Sequence, residues 1–395
     1  MKLEERLARS LHDGLAQVDA PAGDVTVVRR TGTRLRRRRR VAAGAAALAV
    51  VVAGVATVSW DRDDDRAPDP AGSGDWQRLD DAPIAGRAQA LSGWTGEEAL
   101  FIGGDLEPCP PGASCTQVSP IASDGAAYDP DAGTWRVIAE APAPMGYWFR
   151  TTMVGDTMVI FGDGTWWAYD AGDDSWTRLP DPPVPTEDTG SISSADGLVY
   201  AMSRQVRVQV LDLAALTWSE LPAPQPTRYG GPVVATDDGV VVSSSPQGLD
   251  PAEMIVQVWD GSTWSELSVP QHTAFRHWTG ERLVELDPQR GAEGERAGGI
   301  LDPATGEWSP LPDDLTDSAG TGWSLNATAG PLMLGWGYLY DDRDSSWTRQ
   351  EPKPDDAAGD GVSAVWADGR VVVFGGVDDS GRGYDAVSQA WLWEP

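Results

Sequence analysis

Cysteine and histidine are scarce in this chain: two Cys and three His in 395 residues. That argues against a zinc centre built from those ligands, and no metal or cofactor is expected. Positive charge is scarce too, once the first 40 residues are set aside. Those carry 11 Lys and Arg against 5 Asp and Glu, net +6, which leaves 19 against 55, net −36, for residues 41–395. So acidic a body repels phosphates, and no nucleic-acid partner is expected. A well-solvated surface is the plain reading of its charge. Catalytic signatures are lacking as well. There is no Gly-x-Ser-x-Gly elbow, no His-Glu-x-x-His pair and no phosphate-cradling glycine loop, so no catalytic residue is assigned.

What is present is a repeat. The stretch YDAGDDSWTRLPDPP, from Tyr169 to Pro183, recurs as YDPDAGTWRVIAEAP at Tyr128, LDLAALTWSELPAP at Leu211 and WDGSTWSELSVP at Trp259. It continues as LDPATGEWSPLPD at Leu301, YDDRDSSWTRQEP at Tyr340 and YDAVSQAWLWEP at Tyr384, with a partial copy, DWQRLDDAP, at Asp75. Each tag pairs an apolar residue and Asp with a following Trp. The tag tryptophans are Trp76, Trp135, Trp176, Trp218, Trp264, Trp308, Trp347 and Trp391, spaced by 59, 41, 42, 46, 44, 39 and 44 residues. A period near 45 marks stacked supersecondary units, none of which can bury its apolar face alone.

Ahead of the repeat the chain changes character three times. Residues 1–40 place Leu3, Leu7, Leu11 and Leu15 at four-residue spacing, which predicts a short amphipathic helix, and end in the arginine run RRTGTRLRRRRR. Val41 to Trp60 then holds no charged residue. As a helix that segment spans about 30 Å, one hydrocarbon core. Arginines on one side and DRDDD (Asp61 to Asp65) on the other orient it with the amino terminus in the cytoplasm. A cleaved signal peptide is the rival reading, and the long basic lead favours an uncleaved single-pass anchor. Residues 61–75 read as a flexible acidic linker.

From residue 76 to residue 395 each interval between tags holds a hairpin, clearest in AQALSGWTGEEALFIGG (Ala88 to Gly104) and SAVWADGRVVVFGG (Ser363 to Gly376). The tag makes a second hairpin. Two hairpins per period give four antiparallel strands, one blade of a β-propeller. FIGG, VFGG, the Tyr-Asp pair and the Trp six residues later resemble the kelch repeat over about residues 76–395, although only the first and last blades keep the double glycine. The fold class expected is thus all-β: a seven-bladed kelch-like propeller preceded by one transmembrane helix. The tag tryptophans are expected in the core between blades, and Trp76 is surplus, available to close the ring beside the last blade. Cys109 and Cys115 flank Pro-Pro-Gly in an insertion of the first blade, and outside the cell a local disulfide is the default for them.

Enzymes that share the kelch propeller leave no matching constellation. Both cysteines lie in one loop, and His272 and His277 are the only histidines past the first segment, so the copper site of the galactose oxidase type looks absent. The loops feeding the first strands carry Tyr147, Trp148 and Arg150, then Arg228 and Tyr229, then Arg276 and His277. In propellers such loops share one face, and arginine with aromatics suits recognition. These seven residues are the candidate ligand-binding set. The expected function is a membrane-anchored extracellular recognition or scaffold module, with a monomeric propeller, binding an unknown envelope protein or glycan. The alternative is an extracellular carbohydrate-active enzyme on the same propeller.

Overall fold

The structure, a computed structural model, describes residues 76–110, 119–184, 189–224, 229–245, 254–269, 274–287, 298–312, 315, 325–378 and 384–395. Its 29 described strands run in chain order from β1 (Gln77–Arg78) to β29 (Ala390–Trp393) and form seven antiparallel sheets. Six sheets use four consecutive strands, and in the seventh β1 joins strands from the other end of the chain. This is the seven-bladed β-propeller of four-stranded blades that the repeat predicts. The segments read as a cytoplasmic helix, a membrane span at Val41 to Trp60 and a linker lie outside the described residues. Among the described residues no helix is long and apolar enough to cross a membrane.

Burial inside a blade follows strand position. In the first blade β2 (Leu91–Trp94) is innermost, followed by β3 (Ala99–Ile102), β4 (Gly125–Asp129) and β5 (Thr134–Val137). β3 has a blade against each face, so all four of its residues are buried and it reads as an unbroken apolar run. β5 is outermost and has no fully buried residue.

The tag makes physical sense residue by residue. Tyr128, Tyr169, Leu211, Trp259, Leu301 and Tyr340 each lie directly across from the tryptophan that follows. Where that residue is aromatic, the two ring centroids are 4.4–5.5 Å apart. The aspartate closes the turn between them. Asp260 Oδ1 accepts the N–H groups of Ser262 and Thr263, both at 2.8 Å, and those donors, Thr263 first, hold its carboxyl down at about 2. The tryptophan then reaches the neighbouring blade. Trp135 Nε1 donates to Asp80 O (3.0 Å), Trp176 to Ala139 O (2.8 Å), Trp218 to Pro180 O (2.8 Å) and Trp264 to Pro222 O (2.6 Å). Each acceptor stands four residues after the preceding tag tryptophan. These rings pack on the core but stay half-buried, because no further strand covers the outer edge of a blade; Trp391 alone among the tags is buried. The other tag tryptophans, expected in the core between blades, thus pack against it without being enclosed by it.

The ring closes through β1. It pairs with β29, Gln77 opposite Leu392 and Arg78 opposite Trp391, to become the outermost strand of the last blade. The spacing from Asp385 to Trp391 predicts an outer-strand tag, and here the structure differs. β29 is a third strand, between β1 and β27 (Arg370–Asp378), and Tyr384-Asp385 leads into a side strand, β28 (Asp385–Ala386). Trp393 takes the place of the tag tyrosine and Trp76 that of the tag tryptophan, their rings stacked at 5.6 Å. Arg87, whose side chain is fully buried, ties this closing blade to the first, donating to Gly103 O at 3.2 Å and to Asp124 Oδ1 at 2.7 Å. The double glycines let backbone approach closely. Gly103 and Gly375 have φ of 66° and 74°, and a Cβ on either would lie 2.1 and 2.4 Å from the carbonyl oxygens of Met145 and Arg87.

The fifth blade is the weak joint. Its strands β18 (His277–Trp278), β19 (Leu283–Glu285), β20 (Gly299–Leu301) and β21 (Trp308–Pro310) are two or three residues long. Trp308 Nε1 is buried and has no hydrogen-bond partner among the described residues, so the described run of indole bonds stops here. Replacing Trp176 by Phe should therefore cost about 1–2 kcal/mol in urea unfolding, whereas Trp308→Phe should fall within about 0.5 kcal/mol of the native chain. Equal losses at the two sites would refute a role for the indole bond.

Candidate functional site

The first strands of the blades line the central channel and are bonded to one another through small hydroxyl side chains. β6 (Arg150–Val154), β10 (Thr189–Ala195) and β14 (Tyr229–Thr236) lie side by side. Ser191 Oγ accepts from Val233 N at 3.1 Å, Ser193 Oγ accepts from Ala235 N at 3.0 Å, and Thr152 Oγ1 meets Ser194 Oγ at 2.8 Å. At the mouth of this channel, on the face where each blade passes to the next, opens a recess of about 900 Å³. Arg150, Arg204, Arg276, Tyr229, Ser191 and the backbone of Gly190, Gly230 and Gly231 contribute to its lining. No carboxylate is among its described lining residues. A second hollow of about 530 Å³, lined by the inner strands of four blades with β6 among them, carries no charged side chain.

Three of the seven sequence-predicted residues, Arg150, Tyr229 and Arg276, meet in this recess. Tyr147 and Trp148 stand beside it, both exposed, with rings edge-to-face at 5.3 Å. Trp148 is tied to the recess because Arg150 Nη1 donates to its carbonyl at 2.7 Å, while Arg150 Nε donates to Gly190 O at 2.8 Å. Arg228 lies outside the described residues. His277 does not join them. It is buried, its Nε2 is 2.8 Å from Gly330 O in the hairpin turn of the next blade, and burial pushes its pKa down. Cys109 is described and Cys115 is not, so the pairing expected between them lies outside the described residues.

Sequence reasoning missed Arg204 and Gln205. They sit in the turn between β11 (Leu198–Ser203) and β12 (Val208–Asp212), a connection that opens on the same face as the loops feeding the first strands. A usable signal existed: an Arg-Gln pair in a turn of a body with 19 basic residues against 55 acidic ones.

No family model matches the chain, and no curated protein matches it. Two solved structures are similar in fold. A chain of the crystal structure of the mitotic checkpoint complex is 14% identical, with a TM-score of 0.49, covering 88% of this chain and 97% of that one. The structure of YjhT is 12% identical, with a TM-score of 0.43, covering 61% of this chain and 89% of that one.

One buried acid adjoins the recess. Glu285, at the end of β19, receives Arg276 Nη1 on Oε1 at 2.7 Å, while its Oε2 is buried with no partner among the described residues. Burial pushes its pKa up to about 7 from an ordinary 4.5; Arg276 opposes the rise and Asp287 adds to it. The folded chain thus holds a proton here that the unfolded chain releases, so this site's contribution to stability is full below the ordinary value and is lost as pH rises through about 7. Glu285→Gln should gain on the order of 3 kcal/mol over the native chain between about pH 4 and pH 8, read by urea unfolding at both. A difference that does not change with pH would refute the shift.

Proposed function

We propose that this chain is a membrane-anchored, extracellular recognition module that binds a protein partner through the face bearing the arginine-lined recess. The observation that carries the reading is the clustering of exposed aromatics there. Among the described residues, three aromatics are exposed large hydrophobics, Tyr147, Trp148 and Tyr229, and all three lie at or beside the recess with Arg150 and Arg204. Tyr, Trp and Arg are the residues that dominate protein interfaces. A glycosidase needs a pair of carboxylates facing its substrate, and the described lining offers none. The blades are read as divergent kelch repeats, supported by the double glycines of the first and last blades and by the Tyr-Asp and Trp pairing. Capture of partners from the native cell envelope by the full chain, carrying a photo-crosslinker, tests this. Trp148→Ala and Tyr229→Ala should each cut recovery of the captured protein at least about fivefold; unchanged recovery with both would sink it.

The anchor reading rests on the uncharged stretch Val41 to Trp60 between an arginine run and an aspartate run. It places the propeller outside the cell, where Cys109 and Cys115 are paired. Protease added to intact cells should remove the propeller and spare an amino-terminal tag, and a thiol reagent should label neither cysteine before reduction. Loss of the tag, or labelling of both cysteines, would contradict this topology.

A further inference from the structure

The recess contrasts with the body that carries it. Residues 41–395 have net charge −36, yet three arginines and no acidic residue are among the described lining of this one hollow. On the opposite face, the hollow formed by hairpin turns of the first two blades is lined by Glu97, Glu98 and Asp156. Arginines elsewhere are occupied: Arg87, Arg136, Arg207, Arg282 and Arg370 each reach a carboxylate. Arg204 does not. Its side chain is exposed and makes no hydrogen bond or ion pair among the described residues, in a chain with twice as many acidic as basic residues.

The backbone around it departs from the repeat. The turn that presents Arg204 and Gln205 ends in Val206, a buried β-branched residue held at φ 59°. Such a conformation is strained for a β-branched residue and persists only where its surroundings impose it. The two register shifts among the described ladders fall between Thr189 and Ser191 and between Gly230 and Val233, at matching places in adjacent blades. Both bulges line the recess. Bulges re-aim side chains and release backbone groups from pairing, which is why they gather beside binding sites. Arg150 already uses one released carbonyl, that of Gly190.

We infer that the recess binds a short acidic segment of a polypeptide partner, its carboxylates taken by Arg204, Arg150 and Arg276. This rests on the reading that this face is the binding face, and adds to it the chemistry of the ligand. Guanidinium groups can bind carboxylates in a bidentate fork, and Arg276, largely exposed, spends only Nη1 on Oε1 of Glu285 at 2.7 Å. A long polyanion is disfavoured, since whatever extends past the recess meets a surface of like charge within about one Debye length, roughly 8 Å. A short segment places its charges inside and leaves its remaining contacts to Tyr229 and Trp148.

The test is binding of a labelled short peptide with a triglutamate centre to the full chain in detergent, by fluorescence anisotropy. A triglutamine counterpart and a trimer of galacturonic acid run beside it, and Arg178→Ala, on an outer strand, serves as the control variant. The triglutamate peptide should bind at least about tenfold tighter than either comparison ligand, and Arg204→Ala should lose about tenfold while Arg178→Ala loses nothing; a tenfold change is about 1.4 kcal/mol. Arg204→Glu should abolish binding, with the urea midpoint of each variant confirming its fold. Equal binding of the glutamine peptide, tighter binding of the sugar acid, or indifference to both Arg204 variants would overturn the inference. If partner capture from the envelope needs Tyr229 and Trp148 but no peptide binds, the acidic-ligand inference falls and the face reading stands. If capture is indifferent to them as well, the face reading falls with it.

Discussion

The fold depends on how one blade is fastened to the next, and the recurring fastener is an indole N–H donated to a backbone carbonyl of the preceding blade. Everything in the tag serves that bond. The residue opposite the tryptophan holds its ring by contact, as Tyr169 does for Trp176 at 5.1 Å. The aspartate fixes the turn that brings the two strands together. Three residues past the tryptophan comes an apolar side chain, Leu79, Ile138 or Leu179, buried between blades. Its neighbour, Asp80, Ala139 or Pro180, is the acceptor for the next indole. Proline suits that place because it has no N–H to continue the ladder, so the strand stops and its carbonyl is free to turn toward the neighbouring blade. The bond from Trp135 to Asp80 crosses the junction between the closing blade and the first, so the same device that spaces the blades also seals the ring.

Much of this was legible in the sequence, because a repeat displays one physical solution many times. Blade number, strand count, the turn aspartates and the close approach of backbone at the double glycines all follow from spacing and residue type. The last blade was misread for an instructive reason. Tyr384, Asp385 and Trp391 reproduce the tag spacing, but a spacing carries no information about which strand is paired with which. The surplus Trp76 pointed to closure beside the last blade, but no local pattern announces that it stacks on Trp393 from the other end of the domain. The half-burial of the tag tryptophans was also beyond reach: it depends on their standing at the outer edge of each blade, where one ring edge has no strand to cover it.

The site was legible in part for a different reason. Arg150, Tyr229 and Arg276 were recoverable because topology alone puts the loops feeding the first strands on one face. Topology does not say which side chains of those loops point into the channel mouth. His277 follows Arg276 directly, and alternation along the strand turns it inward to the blade, where Gly330 O meets its ring. Arg204 comes from a different kind of connection, and its position depends on a left-handed Val206 that sequence statistics would disfavour. The two bulges are registers of pairing and have no composition signature beyond a glycine at each.

On the proposed reading, the charge pattern would make the recess selective rather than merely attractive. A basic pocket on a neutral protein gathers any anion, and its long-range field draws polymers as readily as short segments. Residues 41–395 carry a net charge of −36, which opposes anions at a distance, so on the proposed reading attraction would win only close to Arg150, Arg204 and Arg276. Association would then be slower than steered encounter would make it, and a ligand would have to fit the recess to be held. The rim favours the same outcome. Tyr147 and Trp148 offer apolar area that field effects do not touch, so a partner that presents both an acidic segment and a complementary surface collects two independent contributions. A free anion collects one, against repulsion. Specificity in such a site comes from the repulsive body as much as from the arginines.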